Sequence, residues 1–211
     1  MGLFIDPKSP AGQFVSERNR GRQYDFLHTS FVISQANVGL EIDHEFICSL
    51  NLYATQYISP QPGRYRRHYD VIVGDHKPSE WYYVQDQMDD FLKVLHEDWS
   101  SFDPVQASAY TLWAVNHIHP FADGNGRTAR ALSYFVLCKK IGQWLPGSVT
   151  VMELIRADNR PQYCQILQKM HDARQHPAFR TNLTEMTAFL NDLILRQIQS
   201  VPPPAVPPSG Q

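Results

Sequence analysis

The chain has 211 residues, 43 % of them hydrophobic and 19 % charged, with 19 Lys plus Arg against 21 Asp plus Glu for a net charge of −2. That length suits one domain with appendages and suffices for a single substantial core. The charge balance excludes a general nucleic-acid binder, since the densest basic stretch (Arg64, Arg66, Arg67 and His68) is too short for a phosphate-tracking stripe, and no run of about 18 apolar residues exists to cross a membrane.

The N-terminus, Met1-Gly-Leu-Phe-Ile-Asp-Pro7, has no basic region followed by an apolar core, so no signal peptide is expected. Asp6 stands where N-myristoylation wants Ser or Thr. Cys48, Cys138 and Cys164 are odd in number and form no Cys-x-x-Cys pair, which argues against a disulfide framework or a structural zinc site. A cytoplasmic setting is expected, or delivery into a host cytoplasm by a specialised secretion system.

Residues 1–22 are polar and interrupted, and read as helical fragments at best. Phe26, Leu27, Phe31 and Val32, then Phe46, Ile47, Leu50, Tyr53 and Ala54, recur at helical spacing and predict helices over 24–36 and 43–56. Pro60, Pro62 and Gly63 break that pattern. Tyr65 to Val73, aromatic and β-branched before the turn at 74–78, predicts a short hairpin or extended flap. Val84, Met88, Phe91, Leu92 and Leu95 restore the helical period. Asp103-Pro104 supplies an N-cap and a first-turn proline for a helix that leads to His119. The next helix runs from Asn125 to a basic last turn, Lys139-Lys140, before Gly142. Further helices are expected over 150–157, 159–173 and 182–199, the last opened by an Asn182–Glu185 capping box. The Pro-rich segment 201–211 cannot pack and reads as a disordered or polyproline II tail, its alternative a ligand for an aromatic groove. The expected fold class is all-α with one inserted β-hairpin.

The chemistry concentrates in His119-Pro-Phe-Ala-Asp-Gly-Asn-Gly-Arg-Thr-Ala-Arg130. The amides of Gly124, Asn125 and Gly126 open a helix, where unpaired N–H groups and the helix dipole favour phosphate. Arg127 and Arg130, three apart, share a face and add cationic reach to a polyphosphate. Asp123 is an oxygen ligand fit for Mg²⁺ beside substrate phosphates. His119 titrates near neutrality and fits a general base for a hydroxyl. A transition-metal set of His117, His119 and Asp123 is disfavoured, because residues two apart on a helix point to different faces.

This string resembles the signature of the Fic family, His-x-Phe-x-Asp/Glu-Gly-Asn-Gly-Arg-x-x-Arg, at every specified position. The resemblance extends more loosely over residues 24–198, through Gly63-x-Tyr65-Arg66 with Val71-Ile72-Val73 as the family's substrate flap and Arg160-x-x-Tyr163-x-x-x-Leu167 as its later helix beside the nucleotide. It implies a catalytic domain over 24–199, between an N-terminal extension (1–23) and the tail (200–211).

It also implies a protein adenylyltransferase that moves AMP from ATP to a Ser, Thr or Tyr hydroxyl of a target protein held along the flap. His119 would be the base, Asp123 the Mg²⁺ ligand, and the loop amides with Asn125, Arg127, Arg130 and Tyr163 the nucleotide contacts. Gly126 stands where the kinase-active Doc branch has lysine, which favours AMP transfer. Phosphocholine or phosphate transfer, and a non-catalytic partner-binding module, are the alternatives. Many relatives carry an inhibitory Ser/Thr-x-x-x-Glu-Gly/Asn helix, and Ser34-x-x-x-Val38-Gly39 matches it with valine in place of the glutamate. The chain is thus expected to lack an intramolecular brake. Glu41, Glu185 or a separate antitoxin-like partner are the rivals, and a homodimer, without nucleic acid or membrane, completes the expected partners.

Overall fold

The structure is a computed structural model and describes residues 4–36, 41–74, 76–174 and 179–202. Among them are eight α-helices: α1 (Pro10–Gln35), α2 (His44–Thr55), α3 (Val84–Glu97), α4 (Pro104–Ile118), α5 (Asn125–Ile141), α6 (Val151–Arg156), α7 (Arg160–Asp172) and α8 (Thr184–Gln199). A 3₁₀ turn at Trp81–Tyr83 precedes α3. The all-α fold class is as expected. No helix among the described residues is long and apolar enough to cross a membrane, and the three cysteines are free.

The antiparallel pair α4–α5 is the centre. Both helices are buried on nearly every face, which their all-round apolar and small-residue sequence requires. α3, α7 and α8 pack on α4, and α1, α2 and α6 on α5. Trp113, Tyr110, Phe91, Phe121 and Phe135 fill the space between them. The Asp103 side chain accepts from the amides of Val105 and Gln106, and Gln106 returns the bond, so α4 begins at the proline the sequence marked.

α1 is longer than its apolar pattern indicates. Ser9 caps it ahead of Pro10, and its inward face in the first half is made of Gly12, Asn19 and Gln23 instead of large apolar residues. Asn19 donates to the Gln56 carbonyl at 2.8 Å and Gln23 to the Leu50 carbonyl at 2.9 Å. These amides pair with one backbone carbonyl inside α2 and one just past its end, so the helix needs no apolar stripe there.

The expected β-hairpin is not present. Residues 65–73 run extended, but among the described residues only two isolated bridges form, Tyr65 with Phe121 and Val73 with His76. His68 turns to φ +69 in mid-run. The Arg66 guanidinium takes the Tyr69 and Ser79 carbonyls that a partner strand would need, and Pro78 has no N–H to give. The Asn182–Glu185 box is also absent: Asn182 accepts from the Thr184 amide, and Glu185 reaches Lys169 at 2.7 Å.

Candidate functional site

His119 ends α4 in the left-handed conformation, φ +53 and ψ +57. Its N–H donates to the Val115 carbonyl, and its carbonyl accepts from Arg66 Nε at 2.9 Å. Arg66 N–H donates to the Pro120 carbonyl at 2.8 Å, so the base of the flap runs beside residues 119–121 as a two-residue antiparallel pairing. Arg66 is therefore a buried clamp, 1 % exposed, on the main chain that carries the imidazole.

The loop is fixed again from inside. Asn125 Oδ1 accepts from the Phe121 N–H and Nδ2 donates to the Phe121 carbonyl, both at 2.8 Å. The Asn125 side chain is thus committed to shaping the loop. Gly124 sits at φ +79, where a Cβ would lie 2.3 Å from Thr55 Cγ2, so only glycine serves. No side chain caps α5. Its first-turn amides lack i−4 carbonyls and stay open, unlike those of α1, α2, α4 and α6.

Asp123 is half-exposed, with Oδ1 on the Gly124 amide and Oδ2 3.0 Å from Arg127 Nη2. Arg127 Nη1 also donates to the Ala54 carbonyl. Arg130 makes no ion pair among the described residues, and burial, with Arg160 and Arg127 nearby, lowers its pKa. A cavity of about 490 Å³ opens beside Arg127 and Arg130, and Arg20, Glu17 and Glu153 also line it. Glu17 pairs with Arg20 and Glu153 caps α6, so neither carboxylate holds Arg130. Gly126 leaves space filled only by the tip of Arg130, 3.3 Å from where a Cβ would be.

Tyr163 lies behind Arg130, buried, its hydroxyl accepting from Asn116 Nδ2 at 3.0 Å. Gly63 anchors the flap through an amide bond to Asn51 Oδ1, while Ile72 and Val73 are exposed and Val71 is half-exposed. Ser34 sits in the last turn of α1 with its hydroxyl on the Phe31 carbonyl. Val38 and Gly39 lie outside the described residues. Glu41 acts electrostatically on Lys139, nine residues along α5 from Arg130.

Asn51 is a site residue that periodicity could not find. Buried in α2, it donates to the Asp123 carbonyl and to Thr128 Oγ1 while accepting from Gly63, so one amide joins loop, α5 and flap. A lone asparagine inside an apolar helix was its signal.

His117 points away from His119. Its ring meets His171 and His76 instead, so the His117, His119 and Asp123 set does not assemble. Burial lowers the pKa of His119 to about 4, with the Asn116 backbone opposing, although His119 Nδ1 makes no hydrogen bond of normal geometry. Burial and then neighbouring histidines lower His117 to about 2 and His171 to about 3. In the unfolded chain these groups take up protons near 6.5. Below that pH the unfolded state binds more protons, so the stability linked to these groups is complete above about pH 7 and falls as pH drops toward 4. The urea midpoint should be lower at about pH 5 than at about pH 7.5; a higher one would contradict the burial of these rings.

The arrangement is a helix–loop–helix turn whose second helix starts uncapped, with an imidazole at one end and two guanidinium groups at the other. Residues 41–137 match the model of the Fic/DOC family. The chain is 30 % identical over 131 residues to the protein adenylyltransferase Fic of Drosophila persimilis, a match covering 61 % of this chain and 25 % of that protein. It is 33 % identical over 130 residues to the protein adenylyltransferase Fic of Nematostella vectensis, covering 60 % and 28 %. It therefore spans roughly a quarter of the length of these curated relatives.

Among solved structures, a Fic domain containing signaling protein from Bacteroides thetaiotaomicron aligns with a TM-score of 0.69 at 18 % identity, over 86 % of this chain and 70 % of that one. Fic-1 from C. elegans aligns at 0.67 and 21 % identity, over 93 % and 53 %. These share the fold. The chain carries a Fic/DOC-family domain, and the matched segment contains the whole run from His119 to Arg130.

Proposed function

We propose that this domain transfers AMP from ATP to a Ser, Thr or Tyr hydroxyl of a target protein. The observation that carries the reading is the uncapped N-terminus of α5, set one short loop from His119 and bearing Arg127 and an unpaired Arg130. The names of the relatives support it further.

With Nδ1 of His119 buried, Nε2 is the nitrogen left to take the hydroxyl proton. The hydroxyl oxygen attacks the α-phosphorus, the bond from that phosphorus to the α–β bridging oxygen breaks, and pyrophosphate leaves. The open amides of α5 bind the phosphates, Arg127 bears on the β-phosphate and Arg130 on the γ-phosphate. Tyr163 supports Arg130 from behind. The half-exposed Asp123 carboxylate keeps lone pairs beyond its two bonds, which fits a Mg²⁺ ligand shared with phosphate oxygens. Mg²⁺ bound there would neutralise phosphate charge.

The target is proposed to lie along Val71, Ile72 and Val73. Ile72 is 78 % exposed, and the backbone of Val71 and Ile72 has no partner among the described residues, which favours strand addition. With no described carboxylate on Arg130, the domain is proposed to act without an intramolecular glutamate brake.

Mass spectrometry of proteins from a cell lysate treated with the chain, ATP and Mg²⁺ tests the reading. The expected result is a hydroxyl residue bearing an AMP adduct. A phosphate adduct in its place would make the domain a kinase, and no adduct on any protein would remove the transferase reading.

A further inference from the structure

We infer that His76, His117 and His171 form a binding site for a divalent transition-metal ion of the zinc class. His76 lies in the turn that follows the flap, His117 in the last turn of α4 and His171 in the last turn of α7. One ring nitrogen from each lies within 4.8 Å of the other two. His117 Nδ1 and His171 Nδ1 face each other at 3.0 Å. Tetrahedral zinc holds imidazole nitrogens at about 2.0–2.1 Å and so sets them about 3.3 Å apart. No pair therefore has to close by more than about 1.5 Å.

The rings are arranged to suit. The centroids of His76 and His117, and of His117 and His171, are 5.0 Å apart. His76 and His171 stack at 3.9 Å and 17°, so an ion must part these two. Both are only half-buried, and His76 rides on the Val73–His76 turn, which can shift more readily than the α4 core. His76 Nε2 donates to the His117 carbonyl at 2.8 Å. That bond fixes the His76 tautomer and leaves Nδ1 with a free lone pair, the backing that metal-binding histidines usually have.

Three imidazoles without a carboxylate suit a borderline-soft cation and not Mg²⁺ or Ca²⁺. Arg174 is the positive neighbour of His117, and its guanidinium lies over Phe179, 5.0 Å from the ring. The trio comes from three separate segments, so a bound ion would tie the turn after the flap to α4 and α7. His119, two residues beyond His117, is not part of the set, although it interacts electrostatically with His76 and His171.

Titration of the metal-stripped full chain with Co²⁺, followed by its visible ligand-field absorption and by displacement with Zn²⁺, tests the site. The expected result is one equivalent of nitrogen-ligated Co²⁺, weakened at least about tenfold in His76→Ala and in His171→Gln, both of which change half-buried rings. Zn²⁺ should also slow trypsin cleavage after the exposed Arg67 in the wild type and not in His171→Gln. Absence of Co²⁺ absorption in the wild type, or wild-type affinity in both variants, would overturn the proposal. So would a signal lost in His119→Ala but kept in His171→Gln, which places the ion at the loop between α4 and α5.

Discussion

Replacing His119 by alanine should lower the transfer rate by about 10²- to 10⁴-fold, the span general base catalysis contributes, while ATP binding changes little. The separation follows from where the groups lie. The amides proposed to bind phosphate and both arginines belong to α5, whereas His119 caps the end of α4. Its side chain makes no hydrogen bond of normal geometry through Nδ1, so removing it leaves no partner unsatisfied. The backbone matters more than the ring for stability, because φ is +53 there and alanine tolerates that region poorly. His119→Asn is the better-tempered control, since asparagine enters the left-handed region more readily. Both variants should bind an ATP analogue within about threefold of wild type and fail in transfer. Nucleotide affinity lost in both would make His119 part of the binding surface and remove it as the base.

Arg66→Ala should be the most destabilising single change in the flap, at about 3 kcal/mol or more in urea unfolding. The guanidinium is 1 % exposed and donates to the carbonyls of His119, Tyr69, Ser79 and Ile118, with Asp70 3.6 Å away. Burial lowers its pKa, and Asp70 opposes that. Truncation orphans buried carbonyls at the end of α4 and frees the flap from the loop, so transfer should fall together with stability. Arg66→Lys restores charge without the planar fork and should recover only part of either. Full stability in Arg66→Ala would mean that the flap is held by Tyr65 and Gly63 alone.

The helices were legible where burial is apolar and caps are conventional. Asp103-Pro104 opened α4 and Gly142 closed α5 as read, and the tight turn before α5 followed from its glycines. The first half of α1 was illegible because Asn19 and Gln23 bury amides against backbone carbonyls, a role that leaves no hydrophobic period. The flap misled for the opposite reason. Tyr65 to Val73 has strand composition, but its backbone partners are the Arg66 side chain and the motif loop, and composition does not reveal which partner a strand finds. The histidine trio was hidden by distance in sequence, since His76, His117 and His171 belong to three segments that only the fold brings together.

Parallel incubations with α-labelled and γ-labelled ATP, in wild type and His119→Ala, test the central claim most directly. The account predicts protein-bound label from the α position only, in wild type only. Label from the γ position, or equal α-label in His119→Ala, would contradict it.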